Sequence, residues 1–99
     1  MVKLLMTWDI REGQEAPYME FVVHELGPAM NRLGLTITDA WYTIAGSGPQ
    51  VIIGGVAEDR ETLFGILQHP DWHDLQSKLQ GFVFNYRQKI AMPQGLFQM

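Results

Sequence analysis

Two of the three histidines in this chain lie four residues apart in the segment HPDWHDLQ, residues 69 to 76. Residues at this spacing share one face of a helix, and imidazole is a common ligand for zinc, copper, iron and nickel. However, Pro70 pushes His69 out of the helical region of backbone space, and no second cluster of His, Asp and Glu offers a third ligand. The sequence therefore predicts that His69 caps a helix beginning at Pro70 and that no metal is bound.

Histidine can also act as a proton acceptor, because its pKa lies near neutral pH. His24 follows Glu20 by four residues on the polar side of a predicted helix, where a solvated pair explains it without a function. The alternative is that a helix distortion at Pro28 tilts His24 toward a cleft between helix and sheet, where it serves as general base. His24 and His73 are the two candidate catalytic residues, and the sequence leaves open whether the protein is an enzyme.

Composition limits the classes of function. A chain of 99 residues folds as one domain, spanning residues 1–99, and can bury about two-thirds of its unfolded surface. The net charge is −4 and the seven Lys and Arg residues are scattered, which argues against nucleic-acid binding. Cysteine is absent, so thiol chemistry is excluded. The apolar runs are much shorter than a membrane helix and the N-terminus lacks the pattern of a signal peptide, so we expect a cytoplasmic protein without a membrane partner.

The first part of the chain reads as a strand followed by a helix. Residues 3–10, KLLMTWDI, alternate in the period of a strand. Pro17 suits a first helical turn, and an apolar stripe at steps of three and four then continues to Gly34. Pro28 lies inside this helix, cannot donate to the carbonyl four residues earlier and clashes with it. The sequence therefore predicts a kink near Gly27.

The second part reads as a hairpin, two helices and a strand. Residues 35–46 and 49–59 are rich in β-branched and aromatic residues around a GSG loop, which predicts two antiparallel strands. Asp59 is a natural N-cap for a helix to about His69, and a second helix begins at Pro70. Residues 82–91 are predicted as a strand, although a helix fits them nearly as well. The tail PQGLFQM is apolar enough that we expect it to dock onto something.

This order predicts an α+β, ferredoxin-like βαββαβ fold with a four-stranded antiparallel sheet and helices on one face. Alternation then sorts the strand residues between the two faces. We expect the helix-covered face to hold Leu4, Met6, Trp8, Ala40, Tyr42, Ile44, Ile52, Val56, Phe84, Tyr86 and Ile90. We expect the bare face to hold Leu5, Thr7, Asp9, Asp39, Trp41, Thr43, Val51, Ile53 and Arg87. That face is too apolar to stay in water, so we predict a homodimer.

Polar side chains on the bare face form a second candidate site. Asp9, Asp39, Trp41 and Arg87 would lie in the interior of such a dimer, where buried charges must be paired. Arg87 is therefore expected to bond Asp9 or Asp39, within one subunit or across two. An interface network that fixes how the subunits dock explains these residues better than a binding site does.

The element order and the segment DAWYTIAGSGPQVIIGGVAEDRETLFGILQHPDWHDL resemble the dimeric α/β-barrel superfamily. This superfamily includes antibiotic-biosynthesis monooxygenases, NIPSNAP-like and EthD-like proteins, and haem-degrading monooxygenases. The resemblance covers nearly the whole chain and implies pairing into a dimeric α/β barrel. In the haem-degrading branch a histidine ligand lies one helical turn after the aromatic residue at the helix start; counting on from Trp72 reaches Gln76, which argues against haem. No phosphate-binding loop or dinucleotide fingerprint is present, and no cofactor is predicted.

Cofactor-independent monooxygenases of this superfamily hold a polycyclic phenol between sheet and helices. By resemblance, Trp8, Phe21, Tyr42 and Tyr86 are the candidate ligand-binding residues, although buried aromatic residues are more often simply core. The first hypothesis is a homodimer that binds a small apolar or aromatic molecule. The alternatives are a monooxygenase or isomerase acting on an aromatic or lactone substrate, and a structural or regulatory dimer without a ligand. A pocket large enough for a ligand would favour the first two hypotheses over the third. A histidine facing that pocket would favour the enzyme over the binding protein.

Overall fold

A computed structural model describes residues 1–92, and the tail for which we expect docking lies outside these residues. The predicted order of elements is confirmed, and residues 82–91 contribute a strand. The elements are β1 (Val2–Ile10), α1 (Glu15–Phe21), a π-helical segment (Val22–Leu26), α2 (Gly27–Leu33), β2 (Thr36–Tyr42), β3 (Val51–Ala57), α3 (Arg60–Leu67), α4 (Pro70–Gln80) and β4 (Val83–Ala91). The strands form one sheet in the order β2-β3-β1-β4, with every neighbouring pair antiparallel. This is the predicted ferredoxin-like α+β fold.

Pro28 changes the first helix in a specific way. The helix widens into the π-helical segment, and the N–H of Gly27 donates to the carbonyl of Val22, five residues earlier. Pro28 has no N–H to donate, and in a regular α-helix its ring would press on the carbonyl of His24. One turn of wider hydrogen bonding absorbs this conflict, and α2 continues beyond it. The distortion predicted near Gly27 therefore takes the form of a π-helical turn.

The end of α2 is set by Gly34, whose φ of +111° is reached easily only by glycine. The N–H groups of Gly34 and Leu35 both donate to the carbonyl of Met30, at 3.1 and 2.8 Å. This arrangement satisfies a carbonyl that the last helical turn leaves free, and it buries the Leu35 side chain directly afterwards. The chain is thereby redirected into β2.

The starts of α3 and α4 confirm the capping residues predicted from the sequence. Asp59 Oδ1 accepts a hydrogen bond from the N–H of Thr62 at 2.7 Å. His69 Nδ1 accepts one from the N–H of Asp71 at 3.0 Å. Each side chain satisfies a helix N–H that has no partner within the helix. The cap on α4 directs Trp72 into the core, where it is buried.

The assignment of β3 to the two faces of the sheet was wrong. Val51 pairs with Trp8 and Ile53 with Met6, so both lie on the helix-covered face and are buried. Ile52 and Val56, expected there, lie on the open face instead. The sequence VIIGGV is apolar at nearly every position, so it gives no alternation from which to read its orientation. Pairing with β1 decides the orientation, because β1 has a fully buried side.

Two further positions on the predicted helix-covered face were also wrong. Phe84 lies opposite Asp9 on the open face, with 43% of its side chain exposed. Next to it, Asn85 has a φ of +56°, and the β1–β4 register shifts between Thr7 and Asp9. This bulge inserts one residue and reverses the alternation on one side of it. Ile44 lies beyond the end of β2 and is exposed.

The helix end at Gly34 yields a prediction with an internal control. Gly34→Ala should lower the free energy of unfolding by about 1–2 kcal/mol, because alanine is strained at positive φ. Gly65 lies inside α3 with no atom within 4 Å of an added Cβ, so Gly65→Ala should raise it by about 0.5–1 kcal/mol. Urea unfolding followed by far-ultraviolet circular dichroism measures both, and effects of equal sign would contradict this account of the helix end.

Candidate functional site

The aromatic centre of the molecule lies where β1 meets α1 and β4. Trp8 is fully buried, and its Nε1–H donates a hydrogen bond to Tyr18 Oη at 3.0 Å. Its indole stacks on the ring of Tyr86, with centroids 5.9 Å apart and planes 10° from parallel. An edge-on contact with Tyr18 completes the cluster, at a centroid distance of 6.3 Å. These contacts tie two strands and a helix together, and they make Trp8 a packing residue.

Tyr86 is partly buried at the edge of this cluster. Its hydroxyl donates to Gln88 Oε1 at 2.8 Å. Burial raises the pKa of Tyr86 to about 12, and the nearby side chain of Gln76 offsets part of that rise. The phenol is therefore protonated throughout the neutral range.

A groove opens at the edge of the sheet, between the first helix and strands β2 and β3. We call it the edge groove, and its volume is about 190 Å³. Its walls are apolar apart from two phenol groups and an indole. The lining residues are Tyr18, Met19, Val22, Ala40, Trp41, Tyr42, Val51 and Ile53.

Tyr42 is the one member of the predicted ligand-binding set, Trp8, Phe21, Tyr42 and Tyr86, that lines the edge groove. Trp8 and Tyr86 belong to the aromatic cluster, and Phe21 is buried against Phe82, with ring centroids 5.4 Å apart. Tyr18 lines the groove, although its place in the apolar stripe of the helix had indicated core alone. The signal that identifies it is a hydroxyl on an otherwise apolar helix face, since a buried hydroxyl needs a partner.

The structure does not bring the two candidate catalytic histidines to the edge groove. His24 lines a separate, polar cleft of about 350 Å³ between the first helix and α4. Two ion pairs cross this cleft: Lys78 Nζ lies 2.7 Å from Glu25 Oε1, and Arg32 Nη2 lies 4.0 Å from Asp71 Oδ2. His73 is exposed on α4 and lines neither cavity. The catalytic role assigned to these residues stays a prediction, without geometric support from the groove.

Asp9 anchors one end of the open sheet face. Its Oδ1 accepts from the N–H of Gln50 at 2.9 Å, and its Oδ2 accepts from Asn85 Nδ2 at 3.1 Å. Gln50 Oε1 in turn accepts from the N–H of Ile10 at 2.7 Å. The carboxylate therefore links the β1 end, the hairpin loop and the bulge in β4, and its polar contacts are made within one subunit.

The other charged groups of this face divide into paired and unpaired ones. Asp39 forms an ion pair with Lys3, which holds the pKa of that carboxyl below its usual range. A Cβ on Gly54 would come within 2.7 Å of Asp39 Oδ2, so only a glycine allows this close approach. Arg87 makes no ion pair within residues 1–92. The predicted bond from Arg87 to Asp9 or Asp39 is therefore not formed within the described part of the chain, and Trp41 is 67% exposed on the same face.

Within residues 1–92, no helix is both long and apolar enough to cross a membrane. In the same part of the chain, no three His, Asp or Glu side chains gather closely enough to share a metal ion.

Comparison with solved structures identifies the fold. An uncharacterised NIPSNAP domain protein from Burkholderia xenovorans superposes with a TM-score of 0.72 at 13% identity, covering 97% of each chain. A DABB family protein with a ferredoxin-like fold from Mesorhizobium loti gives 0.68 at 13%, covering 95% of this chain and 97% of the other. A protein from Nitrosomonas europaea proposed to be an antibiotic biosynthesis monooxygenase gives 0.72 at 6%, covering 96% and 100%.

These likenesses establish the fold, and they agree with the superfamily that the sequence resembles. At such low identities they carry no statement about activity or ligand. No family model matches the chain, and no curated protein matches it.

The buried phenol of Tyr86 predicts a loss of stability at high pH. An unfolded tyrosine loses its proton near pH 10, whereas folded Tyr86 holds it to about pH 12, so the folded state binds more protons between these values. The free energy of unfolding should therefore fall as pH rises through this range. Tyr86→Phe should make that fall shallower, and urea unfolding at several pH values from 8 to 11.5 measures it. Tyr42→Phe, which removes an exposed hydroxyl, is the control, and equal slopes in all three proteins would contradict the prediction.

Proposed function

We propose that this protein is a homodimeric α/β barrel that binds a small apolar or aromatic molecule in the edge groove. The observation that carries the proposal is the groove itself, an apolar cleft lined by Tyr18, Tyr42 and Trp41. Small-molecule sites are concave, mostly apolar and carry a few polar groups that fix orientation. The groove has this composition, and its volume suits a molecule of one or two rings. A cytoplasmic location is part of the proposal and rests on the sequence alone.

Binding is better supported than catalysis. A cofactor-independent monooxygenase or isomerase needs a proton acceptor within hydrogen-bond reach of its substrate. His24 lines a different cleft and His73 is exposed, so neither supplies that group at the edge groove. The fold shared with the Nitrosomonas protein leaves an enzyme as the second candidate, because this fold carries more than one function.

The open sheet face supports the dimer. Leu5 and Ile52 line a shallow apolar depression on it of about 430 Å³, next to the exposed Trp41 and Phe84. Apolar patches of this kind mark interfaces more often than free surface. Arg87 lies in the same depression, without a carboxylate partner in its own subunit. A second copy related by a two-fold axis would cover the apolar residues and bring a carboxylate to Arg87.

A charge placed on the open face should prevent association. Ile52→Lys should shift the protein to monomer, because a dimer would bury the new ammonium group beside Arg87 and Lys89, which line the same depression. Val23→Lys is the matched control, since Val23 is exposed on the helix layer and its substitution should leave the dimer intact. Sedimentation velocity of the three proteins at several concentrations measures the change.

Substitution of Arg87 tests the polar part of the same interface. Arg87→Ala should raise the dimer dissociation constant at least tenfold, as expected for removal of one partner from a buried charge pair. An unchanged constant would remove Arg87 from the interface, and a wild-type monomer would overturn the dimer itself.

Filling the groove should abolish ligand binding. Ala40 is an exposed residue of β2 that lines the groove, so Ala40→Phe should occupy it and lower the affinity for tetralin, a two-ring hydrocarbon probe, at least tenfold. His24→Ala is the control and should leave tetralin binding unchanged. Saturation-transfer NMR measures the affinity, and native mass spectrometry of the freshly purified protein shows whether a ligand is retained. Equal affinities for Ala40→Phe and wild type would place the ligand elsewhere, and no binding at all would favour a dimer without a ligand.

A further inference from the structure

The edge groove contains one buried polar group whose hydrogen bonds are incomplete. Tyr18 is only 3% exposed, and its hydroxyl oxygen accepts the N–H of Trp8 at 3.0 Å. A phenol also carries one proton to donate. Within residues 1–92, the Tyr18 hydroxyl donates no hydrogen bond. Because a buried donor without a partner is costly, the structure leaves a place for an acceptor from outside the chain.

The surroundings of Tyr18 keep this donor neutral and fixed. Burial raises the pKa of the Tyr18 hydroxyl, the nearby phenol of Tyr42 raises it further, and the bond from Trp8 offsets part of the rise. The hydroxyl therefore stays protonated at neutral pH. Trp8 is fully buried and stacked on Tyr86, so its N–H holds the phenol oxygen at one position. Because the hydroxyl is already held in place, less conformational entropy is lost when a ligand bonds to it than at a mobile hydroxyl.

The walls of the groove restrict the kind of acceptor. Its lining includes no Lys, Arg or His, so a carboxylate or phosphate would lose its hydration without gaining a counter-charge. A neutral oxygen on a ring system avoids this cost, and the apolar walls formed by Val22, Val51 and Ile53 suit the rings. A carbonyl oxygen fits both conditions and, unlike a hydroxyl, brings no further proton that would need a partner in the apolar groove.

We infer that Tyr18 is the hydrogen-bond donor of the edge groove and that the ligand is a small, uncharged aromatic ketone or related carbonyl compound. The inference rests on the proposed function and makes it more specific. In this inference Tyr18 recognises the oxygen atom of the ligand, and the other residues of the groove wall recognise the shape of its rings.

The test compares two probes of the same ring skeleton, 1-tetralone, which has a carbonyl group, and tetralin, which has none. Wild-type protein should bind 1-tetralone about three- to tenfold more tightly than tetralin, the range expected for one neutral hydrogen bond. Tyr18→Phe keeps the ring and removes the hydroxyl, so it should bind both probes equally and keep the affinity for tetralin. Tyr42→Phe removes the other phenol of the groove and should keep the wild-type preference.

Infrared spectroscopy supplies a signature that a purely structural role of Tyr18 would not produce. The carbonyl stretch of bound 1-tetralone should move to lower wavenumber in wild type and in Tyr42→Phe, and it should remain unshifted in Tyr18→Phe. Because Tyr18→Phe also leaves the Trp8 N–H without its acceptor, circular dichroism must confirm that the variant is folded. Should it not fold, a preference and an infrared shift that both persist in Tyr42→Phe leave Tyr18 as the remaining hydroxyl of the groove, and their loss in Tyr42→Phe would overturn the inference.

The outcomes distinguish this inference from the proposed function. Binding of both probes with equal affinity to wild type, or a preference that survives in Tyr18→Phe, would overturn the role of Tyr18 and leave the groove as a binding site. A preference lost in Tyr42→Phe alone would assign the donor to Tyr42 and overturn the inference. Failure of both probes to bind wild type would overturn the ligand-binding proposal and the inference with it, and binding of tetralin without 1-tetralone would overturn the inference alone.

Discussion

The hydrogen bond from the buried indole of Trp8 to the hydroxyl of Tyr18 organises most of this structure. Trp8 lies in β1, which pairs with both β3 and β4, so its position is set by the centre of the sheet. Tyr18 lies in α1, and the bond therefore fixes the first helix against that centre. Tyr86 stacks on the indole of Trp8 and brings β4 into the same contact. A buried indole N–H needs an acceptor, so packing and polar satisfaction depend on the same pair of residues.

Two irregular backbone positions determine which polar and charged groups pair on the open sheet face. The bulge at Asn85 puts this residue and Phe84 next to each other on the open side of β4, and Asn85 then reaches the carboxylate of Asp9. Gly54 leaves the space in which Lys3 and Asp39 pair. Both devices give the carboxylates of the open face partners within the same chain. Arg87 and Lys89 lie on that face and make no ion pair in the described part of the chain, so they are the charges that any partner covering the face would have to accommodate.

Local signals in the sequence predicted the elements, because each depends on a few neighbouring residues. Asp59 and His69 cap helices through bonds that span two or three residues, and Pro28 perturbs the turn directly before it. The orientation of β3 was not predictable in this way, since its sequence is apolar on both sides and only pairing with β1 selects one. Phe84 was assigned to the wrong face because a β-bulge leaves little signal in the sequence. The one local feature is Asn85, a residue type that tolerates the positive φ it adopts in the bulge.

The candidate site was predictable only in part, for a related reason. Tyr42 was a candidate because of the resemblance to proteins that hold a ligand between sheet and helices, whereas Tyr18 was taken as core. Whether a helix face covers core or borders a groove depends on how far the sheet extends beneath it. β2 is an edge strand of the sheet, so the groove lies at the sheet edge. Residues of β2 therefore contribute both to the groove and to the open face. Trp41 lies opposite Ile52 on the open face and also lines the groove, while its neighbour Tyr42 faces the helices. Any partner that covers the open face therefore changes one wall of the groove. In a homodimer of this kind, ligand binding and association would share a strand, and each would alter the free energy of the other.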